Sequence, residues 1–121
     1  MLRPLIAIDL NSGLKYSSLR NFILRILRAF GIADVVFIID DKNIMEFASH
    51  QVFPISDSAS IVELVKDLRK ISEKRDELDI EPVISLKREM GRSILIVISD
   101  RKIKHTQELV FKYNGKRLAR V

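Results

Sequence analysis

Three aspartates in this chain stand directly behind apolar runs: Asp9 after LIAI, Asp40 after VVFII, and Asp100 after ILIVIS. A carboxylate delivered to the end of a buried strand can hold a metal ion. In the company of further carboxylates it can cut a phosphodiester. It can also simply turn the chain. Other chemistry is excluded sooner. Asn11-Ser12-Gly13 supplies a single glycine after a strand, not a phosphate-cradling GxGxxG or Walker loop. The two histidines, His50 and His105, have no partner at metal-ligand spacing, and no Ser-His-Asp arrangement can be argued. Cysteine is absent, so disulfides and thiolate metal sites drop out.

The elements that must position these aspartates follow from hydrophobic period. Leu5 to Leu10 is a short continuous apolar run, as expected for a strand covered on both faces. From Ser18 the period changes. Leu19, Phe22, Ile23, Ile26, Leu27 and Phe30 recur at helical spacing, which predicts an amphipathic helix capped by Ser17 or Ser18 and stopped by Gly31. Val35 to Ile39 predicts a second buried strand, and the turn Asp40 to Asn43 leads into a short strand around Met45 to Phe47, forming an edge hairpin. Ser60 and Glu63 have capping-box spacing ahead of a second helix through Ile71. Asp76 to Asp79 breaks that helix, and Asp79 caps a third with Pro82 in its first turn and Gly91 near its end. Ser93 to Ser99 is a third buried strand. Thr106 caps a short helix through Tyr113, stopped by Asn114 and Gly115, and Arg117 to Val121 makes the last strand.

Strands alternating with helices at this spacing predict a three-layer, doubly wound α/β domain over residues 1–121. Its mainly parallel sheet has about five strands, an antiparallel edge hairpin, and helices on both faces. The first strand is central, with the hairpin on one side and the strands at 93–99 and 117–121 on the other. Asp9 and Asp100 then lie beyond the carboxyl ends of adjacent strands, at the switch point where such sheets bind ligands. Asp40 flanks Asp9 from the other side.

The chain has 121 residues, 47% apolar and 31% charged, which suits one globular core. No apolar run approaches a bilayer span and no signal-peptide pattern is present, so a cytoplasmic protein is expected. The net charge of +5 is uneven. Residues 101–121 carry Arg101, Lys102, Lys104, Lys112, Lys116, Arg117 and Arg120 against Glu108 alone. That segment reads first as a solvated basic face and second as a contact for an acidic partner or nucleic acid.

Taken together, the order of elements and four local patterns resemble a von Willebrand factor A-type domain, shortened. Asp9 to Gly13 stands where that family has Asp-x-Ser-x-Ser. ADVVFIIDDKNIMEF resembles its second strand and antiparallel edge strand, ELDIEPVISL (Glu77 to Leu86) its Thr-Asp-containing loop, and ILIVISD its strand ending in Thr-Asp or Ser-Asp. The resemblance implies a non-enzymatic protein-interaction module with a Mg²⁺ site built from Asp9, Asn11 and Asp100. Gly13 and Leu78 stand where the family has metal-binding hydroxyls, and Ser12 is shifted by one residue, so that site is degenerate or vestigial. An alternative resemblance, to small nucleases of PIN or NYN type, would use Asp9 and Asp100 with Asp40 or Asp79, the basic C-terminal segment contacting phosphates. The family's sheet continues beyond a fifth strand. Ending near Val121 therefore leaves an open strand edge, through which a protein partner or a second copy is expected to pair.

Overall fold

The computed structural model describes residues 3–38, 44–46, 52–54, 58–68, 77–104 and 106–121. Along the chain run β1 (Leu5–Asp9), α1 (Tyr16–Phe30), β2 (Ile32–Ile38), β3 (Ile44–Glu46), β4 (Val52–Pro54), α2 (Ser58–Leu68), β5 (Glu77–Leu78), α3 (Glu81–Glu89), β6 (Leu95–Ile98), β7 (Lys102–Ile103), β8 (Val110–Tyr113) and β9 (Leu118–Arg120). The main sheet has the order β3-β2-β1-β6-β8-β9, with β4 also paired to β2. Its middle strands β2, β1, β6 and β8 are parallel, while β3, β4 and β9 are antiparallel additions at the rims. The α/β class, the central first strand and the β2–β3 edge hairpin all match the sequence expectation. Asp40, Phe47, His50, Ile71, Asp76 and His105 lie outside the described residues.

Strand alternation sorts the apolar runs to two faces. Ile6, Ile8, Val35, Phe37, Ile96 and Ile98 pack under α1 and α2. Leu5, Ala7, Val36, Ile38, Leu95 and Val97 pack under α3. Because both faces are covered, β1, β2 and β6 are apolar at nearly every position, which is why they read as continuous runs. No helix among the described residues is long and apolar enough to cross a membrane.

The helix boundaries refine the sequence reading. α1 begins at Tyr16 with Lys15, not Ser17 or Ser18, at its N-cap, and the Leu19 N–H donates to the Lys15 carbonyl at 3.0 Å. Tyr16 packs against the core, so starting the helix one residue earlier places another apolar group on its inner face. Gly31, at φ 82, ends it as expected. α2 starts at Ser58, two residues ahead of the expected cap. Asp79 does serve α3: its Oδ1 accepts the Glu81 N–H at 3.0 Å.

The largest departure lies at residues 106–113. The expected helix is absent, and β8 occupies its place beside β6, pairing Leu95 with Val110 through to Ile98 with Tyr113. The slot next to β6 buries Val110 completely and stacks the Tyr113 ring on Phe22 with centroids 3.9 Å apart, so tertiary burial overrides local helical spacing. Thr106 turns the loop by accepting the Glu108 N–H, at 3.2 Å. Asn114 and Gly115 then form the β8–β9 hairpin turn, with Gly115 at φ 96 and Asn114 Oδ1 accepting the Lys116 and Arg117 N–H groups.

Glu108 ties this connection to α3 by accepting from Arg88 and from Lys87. Those two cations, Arg88 foremost, hold its carboxyl below the ordinary value of 4.5. A lowered folded pKa contributes stability that is complete above the ordinary value and is lost as pH falls through the folded one. Urea midpoints taken on either side of pH 4.5 are therefore expected to fall with acidification. Glu108→Gln should remove that part of the slope, and an unchanged slope would show that the pair contributes nothing.

Candidate functional site

Strand order reverses at β1, whose neighbours are β2 on one side and β6 on the other. Asp9 closes β1 at this switch point and is completely buried. The β1–β6 register ends with Ile8 opposite Ile98, so continuing it brings Ser99, not Asp100, across from Asp9. The Ser99 hydroxyl donates to Asp9 Oδ2 at 2.7 Å, and the Asn11 backbone N–H donates to Oδ1 at 3.0 Å. Arg101, only 5% exposed, reaches back with a planar fork: Nε donates to Oδ2 at 2.8 Å and Nη2 to Oδ1 at 3.0 Å. A carboxylate offers about four lone-pair positions, and these contacts fill them. The Arg101 N–H also donates to Ser99 Oγ at 3.0 Å, closing a ring of bonds around the buried carboxylate.

Asp100 is exposed and works differently. Its Oδ2 accepts the Gly13 N–H at 3.0 Å, while its own N–H donates to Ser12 Oγ at 3.2 Å. Ser12 is buried, and its Oγ also accepts the Leu14 N–H at 3.3 Å. The two aspartate carboxylates therefore fasten alternate amides of the 10–14 loop, those of Asn11 and Gly13, and the shifted serine adds a second tie between that loop and Asp100. Leu78, in the hydroxyl position, is a core residue of β5 paired with Ile103 of β7.

Mg²⁺ requires oxygen ligands in near-ideal octahedral placement. Asp9, Asn11 and Asp100 as placed do not fit such an ion. The Asp9 oxygens already face a guanidinium that a cation would have to displace, and Asn11 meets Asp9 through its backbone amide. Among the described residues no three His, Cys, Asp or Glu side chains gather where an ion could be held.

The residues that sequence reasoning missed here are Arg101 and Ser99. A basic residue immediately after the strand-ending Ser-Asp was the available signal, but counted by charge alone it merges with the basic C-terminal segment. A second buried carboxylate lies at the opposite ends of the strands. Asp34, 2% exposed, accepts Arg3 Nη2 at 2.9 Å and Arg92 Nε at 2.7 Å. Comparison of the chain with family models, with curated proteins and with solved structures finds no match.

Proposed function

We propose that this domain is a non-enzymatic protein-interaction module of von Willebrand A type in which an arginine fills the place of the metal ion. The observation that carries the reading is the bidentate contact of Arg101 on the buried Asp9 carboxylate. The fold puts that carboxylate where open α/β sheets bind ligands. The resemblance to von Willebrand A-type domains puts a divalent cation beside it. A guanidinium there supplies fixed positive charge from the chain itself, so the loop from Asn11 to Leu14 is set without any ion. The same contact disfavours the nuclease alternative, because cleavage by metal ions needs free carboxylate oxygens converging on them.

The test is thermal. A ligand that binds only the folded state stabilises it by about 2.7 kcal/mol at a hundred times its dissociation constant. Millimolar Mg²⁺ or Mn²⁺ is expected to leave the melting temperature of the parent protein unchanged. A rise that Asp9→Ala abolishes would overturn the arginine reading and restore a metal site. Mn²⁺-dependent cleavage of single-stranded RNA or DNA, lost in Asp100→Asn, would replace the module by a nuclease.

A further inference from the structure

The basic residues of the C-terminal segment gather at one place. Alternation along β8 sends Val110 toward the α3 face, and Lys112 follows it two residues later. There Lys112 stands between Val97 of β6 and Ala119 of β9. Among the described residues of the β6–β8 connection, Lys102 and Ile103 of β7 line a hollow on this part of the face. Arg117 also lines this hollow of about 310 Å³, while Arg120, paired with Phe111, turns its side chain to the opposite face. Arg101 does not line it.

Three features of this hollow point to one ligand chemistry. Lys102, Lys112 and Arg117 all line it, and among the described residues none of them forms an ion pair with a carboxylate. Desolvation pulls the Lys112 ammonium below its ordinary 10.5, with the Asp100 charge offsetting part of the effect. A group of cations without carboxylate partners, one of them partly desolvated, is neutralised best by an anion with several acceptor oxygens. A terminal phosphate carries about −1.5 to −2 charges at neutral pH, and a phosphodiester, with one charge, still presents several acceptor oxygens to arginine forks and lysine donors. The volume is near the lower end of ligand sites, which run from roughly 300 to 1,000 Å³, and among the described residues no aromatic ring lines it to stack a base.

We propose that the hollow between β7, β8 and β9 binds a phosphate group, presented either by a free polyphosphate or by a single-stranded nucleic-acid backbone. This assignment is independent of how the Asp9 position is filled.

The experiment titrates the whole chain at low salt with pyrophosphate, with a fluorescent oligothymidylate, and with a poly-glutamate peptide as the carboxylate control. Lys112→Gln and Arg117→Gln are compared with Arg25→Gln, which removes an equal charge from the exposed face of α1. Circular dichroism checks that each variant folds, and Arg117→Gln, at a turn, serves should the strand-borne Lys112→Gln fail to fold. Binding of pyrophosphate or oligothymidylate is expected, weakened about tenfold by either cleft variant and little by Arg25→Gln. Tighter pyrophosphate binding identifies a free polyphosphate as the source. Tighter oligothymidylate binding, with a log–log salt slope that falls by about 0.7 for each cation removed, identifies the nucleic-acid backbone. The proposal is overturned if neither phosphate ligand binds, if the cleft variants behave like Arg25→Gln, or if poly-glutamate binds as tightly as both.

Discussion

Arg101→Met is expected to remove about 3–5 kcal/mol of folding stability, the range measured when one partner of a buried ion pair is deleted. The loss comes less from the attraction itself than from what stays behind. Asp9 is fully buried, and without the guanidinium two of its acceptor positions face a methionine side chain instead of donors. Against a typical total of 5–15 kcal/mol, such a change moves the urea midpoint by a large fraction. The double variant Asp9→Leu with Arg101→Met removes the stranded charge as well, and is expected to recover much of the loss. The two single variants and the double variant complete a thermodynamic cycle whose coupling should be strongly non-additive. A cost for Arg101→Met below about 1 kcal/mol, the level of an exposed pair, would show that the contact is solvated and does not hold the site together.

The second large effect is expected at Tyr113. Tyr113→Ala should cost about 3–5 kcal/mol, as large-to-small aromatic substitutions in cores do. The ring lies flat against Phe22 at 3.9 Å, with an angle of 3° between the planes, and so joins β8 to the centre of α1. Phe22→Ala should be comparable. A double-mutant cycle between the two should give a coupling of about 0.5–1.5 kcal/mol beyond the lost area. Additive losses would mean that the two rings do not touch in solution. That result would also revive a helix over residues 106–113, in which Tyr113 has no reason to meet Phe22.

The contrast between these regions explains what could be read from the residues. β1, β2 and β6 are buried on both faces, so burial is written along them without interruption. α1 is long enough for its apolar stripe to repeat several times. β8 has four residues, and Leu109, Val110 and Tyr113 satisfy a helical spacing as well as an extended one. The pair Asn114-Gly115 stops a helix and turns a hairpin equally well, and only the vacant place beside β6 decides between them. β4, β5 and β7 are two or three residues long, too short for any period to register. At the site, the position of Asp9 followed from the strand that carries it. Its partner did not, because Arg101 lies past the end of β6, and where its long side chain goes depends on a carboxylate ninety-two residues earlier.

The paired charges at the two ends of the sheet have a consequence for how the strands find their places. β2, β1 and β6 are aliphatic along nearly their whole lengths, so apolar packing alone would tolerate a slide of one strand past another. Asp34 on β2 is bound by Arg3, just ahead of β1, and by Arg92, just ahead of β6. At the far end Asp9 on β1 is bound by Arg101, just beyond β6. A shift of any one of these three strands by a single residue would turn its side chains to the wrong face and pull a buried carboxylate away from its arginine. The ion pairs thus act as end stops: they add modestly to the depth of the native minimum and strongly penalise its misregistered neighbours.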